Sequence, residues 1–172
     1  FITAVLAAAA LVSCGPKYAE PTSTPGSEIA YSMSFIRHVA ANVDKNENIV
    51  ISPYSAGVAL SMLAEGAEGQ TKEEFNKALN DCLFKAEDLG GNDTVIVNSV
   101  NSLWVDDNFS IRNRYLFLLD KDYDALATTL NFGDPSTVQA INNWCSEHTN
   151  GKIKDIIDRL GAGDVMVLAN AL

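Results

Sequence analysis

The chain has 172 residues, and its 22 acidic against 12 basic side chains leave a formal net charge of −10. With 47% hydrophobic and 20% charged residues the composition is that of a globular domain, not of a disordered or fibrous chain, and a chain of this length buries roughly 70% of its unfolded surface without help from disulfides or metals. Nucleic acid is excluded as a partner, because gripping a polyphosphate takes clustered Lys and Arg and the basic residues here are scattered through an acidic chain.

The first fourteen residues stand apart. From Phe1 to Val12 only Thr3 is polar. Such a run makes about 20 Å of helix, short of the roughly 30 Å hydrocarbon core, so residues 1–14 read as the apolar core of a signal peptide and not as a membrane span. No Met and no basic segment precede Phe1, so the extreme N-terminus is expected to lie upstream. Leu11-Val12-Ser13-Cys14 resembles a bacterial lipobox, which makes Cys14 the expected lipidation site. The expected location is accordingly exported, as an outer-membrane or cell-surface lipoprotein or in the extracellular space, with an acyl chain on Cys14 as the only membrane contact. Residues 15–27 carry Pro16, Pro21, Pro25 and Gly26 among Ser and Thr and read as a flexible tether. Residues 28–172 form the remaining domain.

Ile29, Met33, Ile36, Ala40 and Val43 recur at spacings of 4, 3, 4 and 3, which predicts a helix over 28–43 that packs by this stripe. Asn48 to Ile51 is a short apolar run. Ser52-Pro53 then supplies an N-cap with Pro at the first helical position, opening a mostly buried helix that ends near Gly66. Thr71-Lys72-Glu73-Glu74 has the form of a capping box, predicting a third helix over 72–82. Residues 84–94, with Gly90, Gly91, Asn92 and Asp93, read as an exposed connection. The β-branched run Val95–Val105 suits a long strand covered on both faces. Leu116, Leu119 and Tyr123 indicate a helix from about Asn113, followed by a strand over 125–131. Asp134-Pro135 opens another helix, with Val138, Ile141, Cys145 and His148 on one stripe, Trp144 beside it, and Gly151 as its left-handed terminator. Val165–Leu172 is an apolar strand that needs covered faces and neighbours. It carries no polar cap, so the sequence is expected to be cut inside a domain and the strand to be an uncovered edge.

The chemistry-bearing residues are sparse. His38 and His148 fall in predicted helices with no Cys, Asp or His at ligand spacing, so no metal site is expected. No nucleophile elbow is present, no catalytic residue is assigned, and enzyme activity is not expected. Gly66-Ala67-Glu68-Gly69-Gln70-Thr71-Lys72 follows a helix and lacks the Gly-Lys-Ser/Thr ending of a phosphate loop, and no cofactor is expected. Glu73, Glu74, Glu87, Asp88, Asp106, Asp107, Asp120, Asp122 and Asp124 read as a solvated acidic surface. The sequons at Asn92 and Asn108 carry little weight in a bacterial lipoprotein. Cys82 and Cys145 could bridge in an exported protein, but they lack a disulfide framework and sit at apolar positions of predicted helices, which favours buried free thiols.

The order of the elements carries a family resemblance. Asn48-Ile49-Val50-Ile51-Ser52-Pro53-Tyr54-Ser55 resembles the strand leading into helix B of a serpin, and Ala64-Glu65-Gly66-Ala67-Glu68-Gly69-Gln70-Thr71 is similar to the turn into helix C. Asn98-Ser99-Val100-Asn101-Ser102-Leu103-Trp104-Val105 resembles the second strand of the central sheet. Ile141-Asn142-Asn143-Trp144 with Thr149-Asn150-Gly151-Lys152-Ile153 resembles the end of helix F. Val167-Leu168-Ala169-Asn170-Ala171-Leu172 resembles the third strand of sheet A. The match runs colinearly from about Ile29 to Leu172.

This resemblance implies an α+β serpin fold, N-terminal half only, with helices A to F and strands of sheet A. It implies a protein that, when complete, is a suicide-substrate inhibitor of serine and sometimes cysteine endopeptidases, or alternatively a non-inhibitory serpin acting as a binding module. The bait loop and its reactive centre lie beyond Leu172 in this family. The resemblance further implies that Ser52, Ser55 and Asn170 belong to the shutter region, which opens to admit the cleaved loop, and that helix F, at about 135–149, lies across the sheet. Cys145 stands where the family usually has an aliphatic residue. The 83–93 stretch is short for helix D, and Lys85 alone against Glu87, Asp88 and Asp93 supports no heparin site.

Overall fold

The computed structural model describes residues 26–172 apart from 45, 47, 88 and 91. The signal-peptide segment, Cys14 and all but the last two residues of the tether lie outside the described residues. Those described fall into two compact units, 26–85 and 86–172.

In the first unit α1 (Ser27–Asn42), α2 (Pro53–Gly66) and α3 (Gly69–Ala78) follow one another, so helix begins at Ser27, the last residue assigned to the tether. The expected packing stripe of α1 is not the one used. Ile29, at 70% exposure, Met33, Ile36 and Ala40 all face out, while Ser27 and Tyr31 are buried. The physical reason is aromatic: Tyr31 lies about 200° around the helix from Ile29 and finds ring partners there. Its centroid is 6.0 Å from Phe35 and 5.0 Å from Phe84, and Phe84 in turn meets Tyr54 edge-on at 6.4 Å. Rings of this size bury more area than the aliphatic stripe and add edge geometry. Burial pushes the Tyr31 hydroxyl up to about 12.

Asn48–Ile51 forms no strand. Asn48, Ile49 and Val50 are exposed, Val50 at 89%, and no ladder partner exists for them among the described residues. The start of α2 is as expected: Ser52 Oγ accepts from Ser55 N–H at 3.1 Å, with Pro53 in the first turn. One face of α2 is shaped for Phe84. Ser61 Oγ accepts from Phe84 N–H at 3.0 Å, and one turn earlier Gly57 leaves room for the ring, since a Cβ there would lie 2.6 Å from Phe84 Cδ2.

The capping box does not form. Helix α3 starts earlier, at Gly69, whose φ of +58° suits glycine, and no side chain caps its first turn. Lys72, at the box's second position, instead reaches back to donate to Ala64 O at 2.7 Å and pairs with Glu65 at 3.5 Å, tying α3 to the last turn of α2. Helix α3 stops at Ala78, and Asn80 and Asp81 turn the chain with positive φ. Cys82 is therefore buried beyond a helix and not within one. No helix lies between Ala78 and Asn113 among the described residues, which fits the shortness of the 83–93 stretch.

The second unit is built on a three-stranded sheet of order β2-β1-β3, with β1 at Val100–Asp106, β2 at Ala125–Leu130 and β3 at Met166–Ala171. β1 pairs parallel with β2, which α4 (Asn113–Tyr123) connects to it, and antiparallel with β3. The expected strand over 95–105 is thus five residues shorter at its start. β2 begins opposite Asn101 and β3 reaches only Val100, so residues 95–99 have no ladder, and Ile96 is 82% exposed. From Asn101 to Val105 the strand is buried throughout, as a central strand covered on both faces should be.

Helix α5 (Ser136–His148) covers one face. Its Ile141 joins Trp104 of β1, Val167 of β3, Phe132 and Ile157 in one core, and Trp104 meets Trp144 edge-on at 5.7 Å. Asp134 Oδ1 accepts from the N–H and Oγ–H of Ser136 ahead of the helix, and these bonds hold its carboxyl below the usual range. After α5 the chain turns through Asn150 and Gly151, both left-handed. The return segment is fixed by the buried Asn142, whose Nδ2 donates to Ile157 O at 2.8 Å while Oδ1 accepts from Ile156 and Ile157 N–H at 2.9 and 3.1 Å.

Replacing Gly57 by Ala is expected to displace the Phe84 ring and cost about 1–3 kcal/mol, read as a lower urea midpoint. An unchanged midpoint would show that the ring does not need the glycine.

Candidate functional site

β1 carries a buried polar residue on each face near its start. Asn101 is 3% exposed and directly opposite Asn170 in the antiparallel register. Asn170 Nδ2 donates to Asn101 Oδ1 at 2.7 Å, and Asn101 Nδ2 donates to Tyr123 O, also at 2.7 Å. A chain of amide bonds therefore runs from β3 through β1 to the end of α4. On the opposite face Ser102 Oγ accepts from Trp104 Nε1 at 2.9 Å, next to the core shared with α5. Strand alternation places Asn101 and Ser102 on these two faces with no change in backbone path.

At the far end of β1, Asp106 closes the strand. Its Oδ2 accepts from Phe132 N–H at 2.9 Å and its Oδ1 from both the N–H and the side-chain amide of Asn108 at 3.0 Å. The bond from Phe132 leads in holding this carboxyl below its ordinary range. Three acidic positions expected to be solvated thus divide: Asp106 is structural, while Asp107 and Asp124 are not drawn into the core.

Of the three residues expected in the shutter, Ser52 and Ser55 come together at the start of α2 in the first unit. Asn170 is on β3 in the second unit, where its partner is Asn101. Sequence reading passed over Asn101, although an Asn inside a β-branched run is itself a signal, because a buried amide in a central strand must find partners. Cys82 and Cys145 are both free and buried, as expected, and burial pushes both thiols up. No group of His, Cys, Asp and Glu able to hold a metal occurs among the described residues.

A family model described as Serpin (serine protease inhibitor) matches residues 27–172. The chain belongs to the serpin family. It is 32% identical over 158 residues to an uncharacterized serpin-like protein of Thermococcus kodakarensis, covering 83% of this chain and 36% of that protein. It is 34% identical over 151 residues to Serpin-Z10 of Arabidopsis thaliana, covering 79% and 39%. Among solved structures it is similar to the thermophilic serpin tengpin in the latent state, with a TM-score of 0.76, 29% identity, and 88% of this chain and 44% of that one covered. The serpin described here thus spans well under half the length of the relatives it matches. Its α+β architecture is that of the serpin fold, with α5 lying across the sheet as the family resemblance implied for helix F. As a family serpins are described as inhibitors of proteases and not as enzymes.

The Asn101–Asn170 bond gives a direct test in this serpin. Asn101→Ala and Asn170→Ala should each destabilise, and the double variant should lose less than the sum by about 0.5–3 kcal/mol in urea denaturation. Additive losses would mean that the two amides do not act as a pair.

Proposed function

We propose that the complete protein is a suicide-substrate inhibitor of serine endopeptidases, with cysteine endopeptidases as a second target class, and that residues 100–171 supply the sheet that receives its cleaved loop. One observation carries this reading: β3 is paired on the β1 side only, with no strand along its other edge among the described residues. A strand entering there would satisfy that edge by main-chain hydrogen bonds.

By family resemblance Asn170, Ser52 and Ser55 are given shutter roles. Short polar side chains suit such a role, since a buried group that changes partner without ever being left unpaired loses little. Asn170 holds Asn101 by a single side-chain bond, and Ser52 holds the first turn of α2. Inhibition begins with the protease nucleophile attacking a loop carbonyl. The peptide bond then breaks, the new amine end departs, and the enzyme remains esterified while the loop inserts. No residue of the present sheet enters that covalent step.

The 172-residue chain alone is expected to trap no protease. Incubated with trypsin-, chymotrypsin-, subtilisin- and papain-like enzymes, it should be cleaved or ignored. An SDS-stable covalent complex with any of them would contradict the assignment of the bait loop to sequence outside these residues.

We also propose export and lipid anchoring at Cys14, supported by the apolar run that precedes Leu11-Val12-Ser13-Cys14. In bacteria expressing the full coding sequence, labelled palmitate should enter the protein, and Cys14→Ala should lose the label and leave the membrane fraction. An unlabelled wild-type protein would contradict the anchor.

A further inference from the structure

At the N-terminal end of β1 the second unit contains a cleft of about 470 Å³. Its walls include Glu87, Val97, Ser99, Tyr123, Asp124 and His148, and no Lys or Arg lines it. The polar groups there are acceptors. His148 Nδ1 lies 2.8 Å from Trp144 O, and because a carbonyl oxygen only accepts, Nδ1 carries the proton and the neutral ring keeps Nε2 as a free lone pair. Stacking on Trp144 at 4.3 Å fixes the plane of that ring. Asp124 has a left-handed backbone whose N–H returns to Asp120 O, and no hydrogen bond or ion pair engages its carboxylate among the described residues. Ser99 Oγ is closed to solvent and has no hydrogen-bond partner among the described residues.

We propose that this cleft binds the guanidinium group of an arginyl side chain presented by another polypeptide. A guanidinium offers five donors in one plane and no acceptor, which matches two carboxylates, an imidazole lone pair and a hydroxyl. Its alkyl stem suits the apolar wall of Val97 and the Tyr123 ring. A compact, strongly hydrated ammonium fits such a dispersed acceptor set less well. The chain's net charge of −10 draws cations toward it at low salt. This assignment does not rest on the inhibitor reading.

The test is a titration of the 172-residue chain, followed by NMR, with N-acetyl-L-arginine amide, its lysine and norleucine counterparts, and free L-arginine. The arginine amide should give saturable shifts at Ser99, Asp124 and His148. The lysine amide should bind several-fold more weakly, the norleucine amide should give no such shifts, and free arginine, whose carboxylate meets Glu87 and Asp124, should also be weaker than the amide. Asp124→Asn keeps a residue that tolerates the left-handed backbone and should weaken binding at least fivefold, and Ser99→Ala should weaken it too. Absence of saturable shifts at these residues, equal binding by the lysine amide, tighter binding by free arginine, or unchanged affinity in Asp124→Asn would each overturn the proposal.

Discussion

One buried amide sets the geometry of the sheet. Asn101 sits where β1, β3 and the end of α4 meet, and it has a bond to each neighbour: it accepts from Asn170 and donates to Tyr123 O. A buried amide left unsatisfied costs about 1–3 kcal/mol, so the strands are held in the register that lets both bonds form. A slip of one residue would turn Asn101 toward the α5 face and present Ser102 to Asn170, while Trp104 would leave the core it shares with Ile141 and Val167. Polar satisfaction on one face and ring packing on the other therefore select the same pairing. Asn142 repeats the device at a second level, because its three bonds to the Ile156–Ile157 backbone bring the return segment to the same core before the chain enters β3.

What could be read from the sequence follows from how local the signals are. The Ser52-Pro53 start of α2, the Asn113 start of α4, the 125–131 strand and the left-handed Gly151 are all fixed by neighbours within a few residues, and all appear where expected. The failures are long-range. Periodicity marks Ile29, Met33 and Ile36 as a stripe, but it has no knowledge of Phe84, fifty residues on, which draws Tyr31 inward instead. Thr71 to Glu74 has the letters of a capping box, yet Lys72 is held by the end of α2 and the helix begins before the box. The β-branched run from Val95 promises a strand, but pairing starts only where β2 and β3 supply partners. The candidate site divides in the same way: Ser52 and Asn170 could be named by resemblance, whereas Asn101 emerges only once the register places it opposite Asn170.

These features bear on function through the openness of the sheet. β1 is enclosed between two partners, while β3 has a ladder on one side among the described residues. The sheet thus joins a fixed centre to an edge that can take another strand, and the link between the two is a single side-chain hydrogen bond. In a protein whose proposed activity is strand insertion, that combination keeps β1 in place while its neighbour adjusts. The covering helix α5 is anchored to the same centre through Trp104 and Ile141, so any rearrangement at the edge is resisted by the core beneath it.

Native-state amide hydrogen exchange tests the primacy of β1 most directly. The account predicts that the amides of 101–105 are the most protected in 86–172, and that those of 96–99, a direct continuation of the same chain, exchange at nearly unprotected rates. Equal protection across 96–105, or a β1 no slower to exchange than the lead-in, would contradict it.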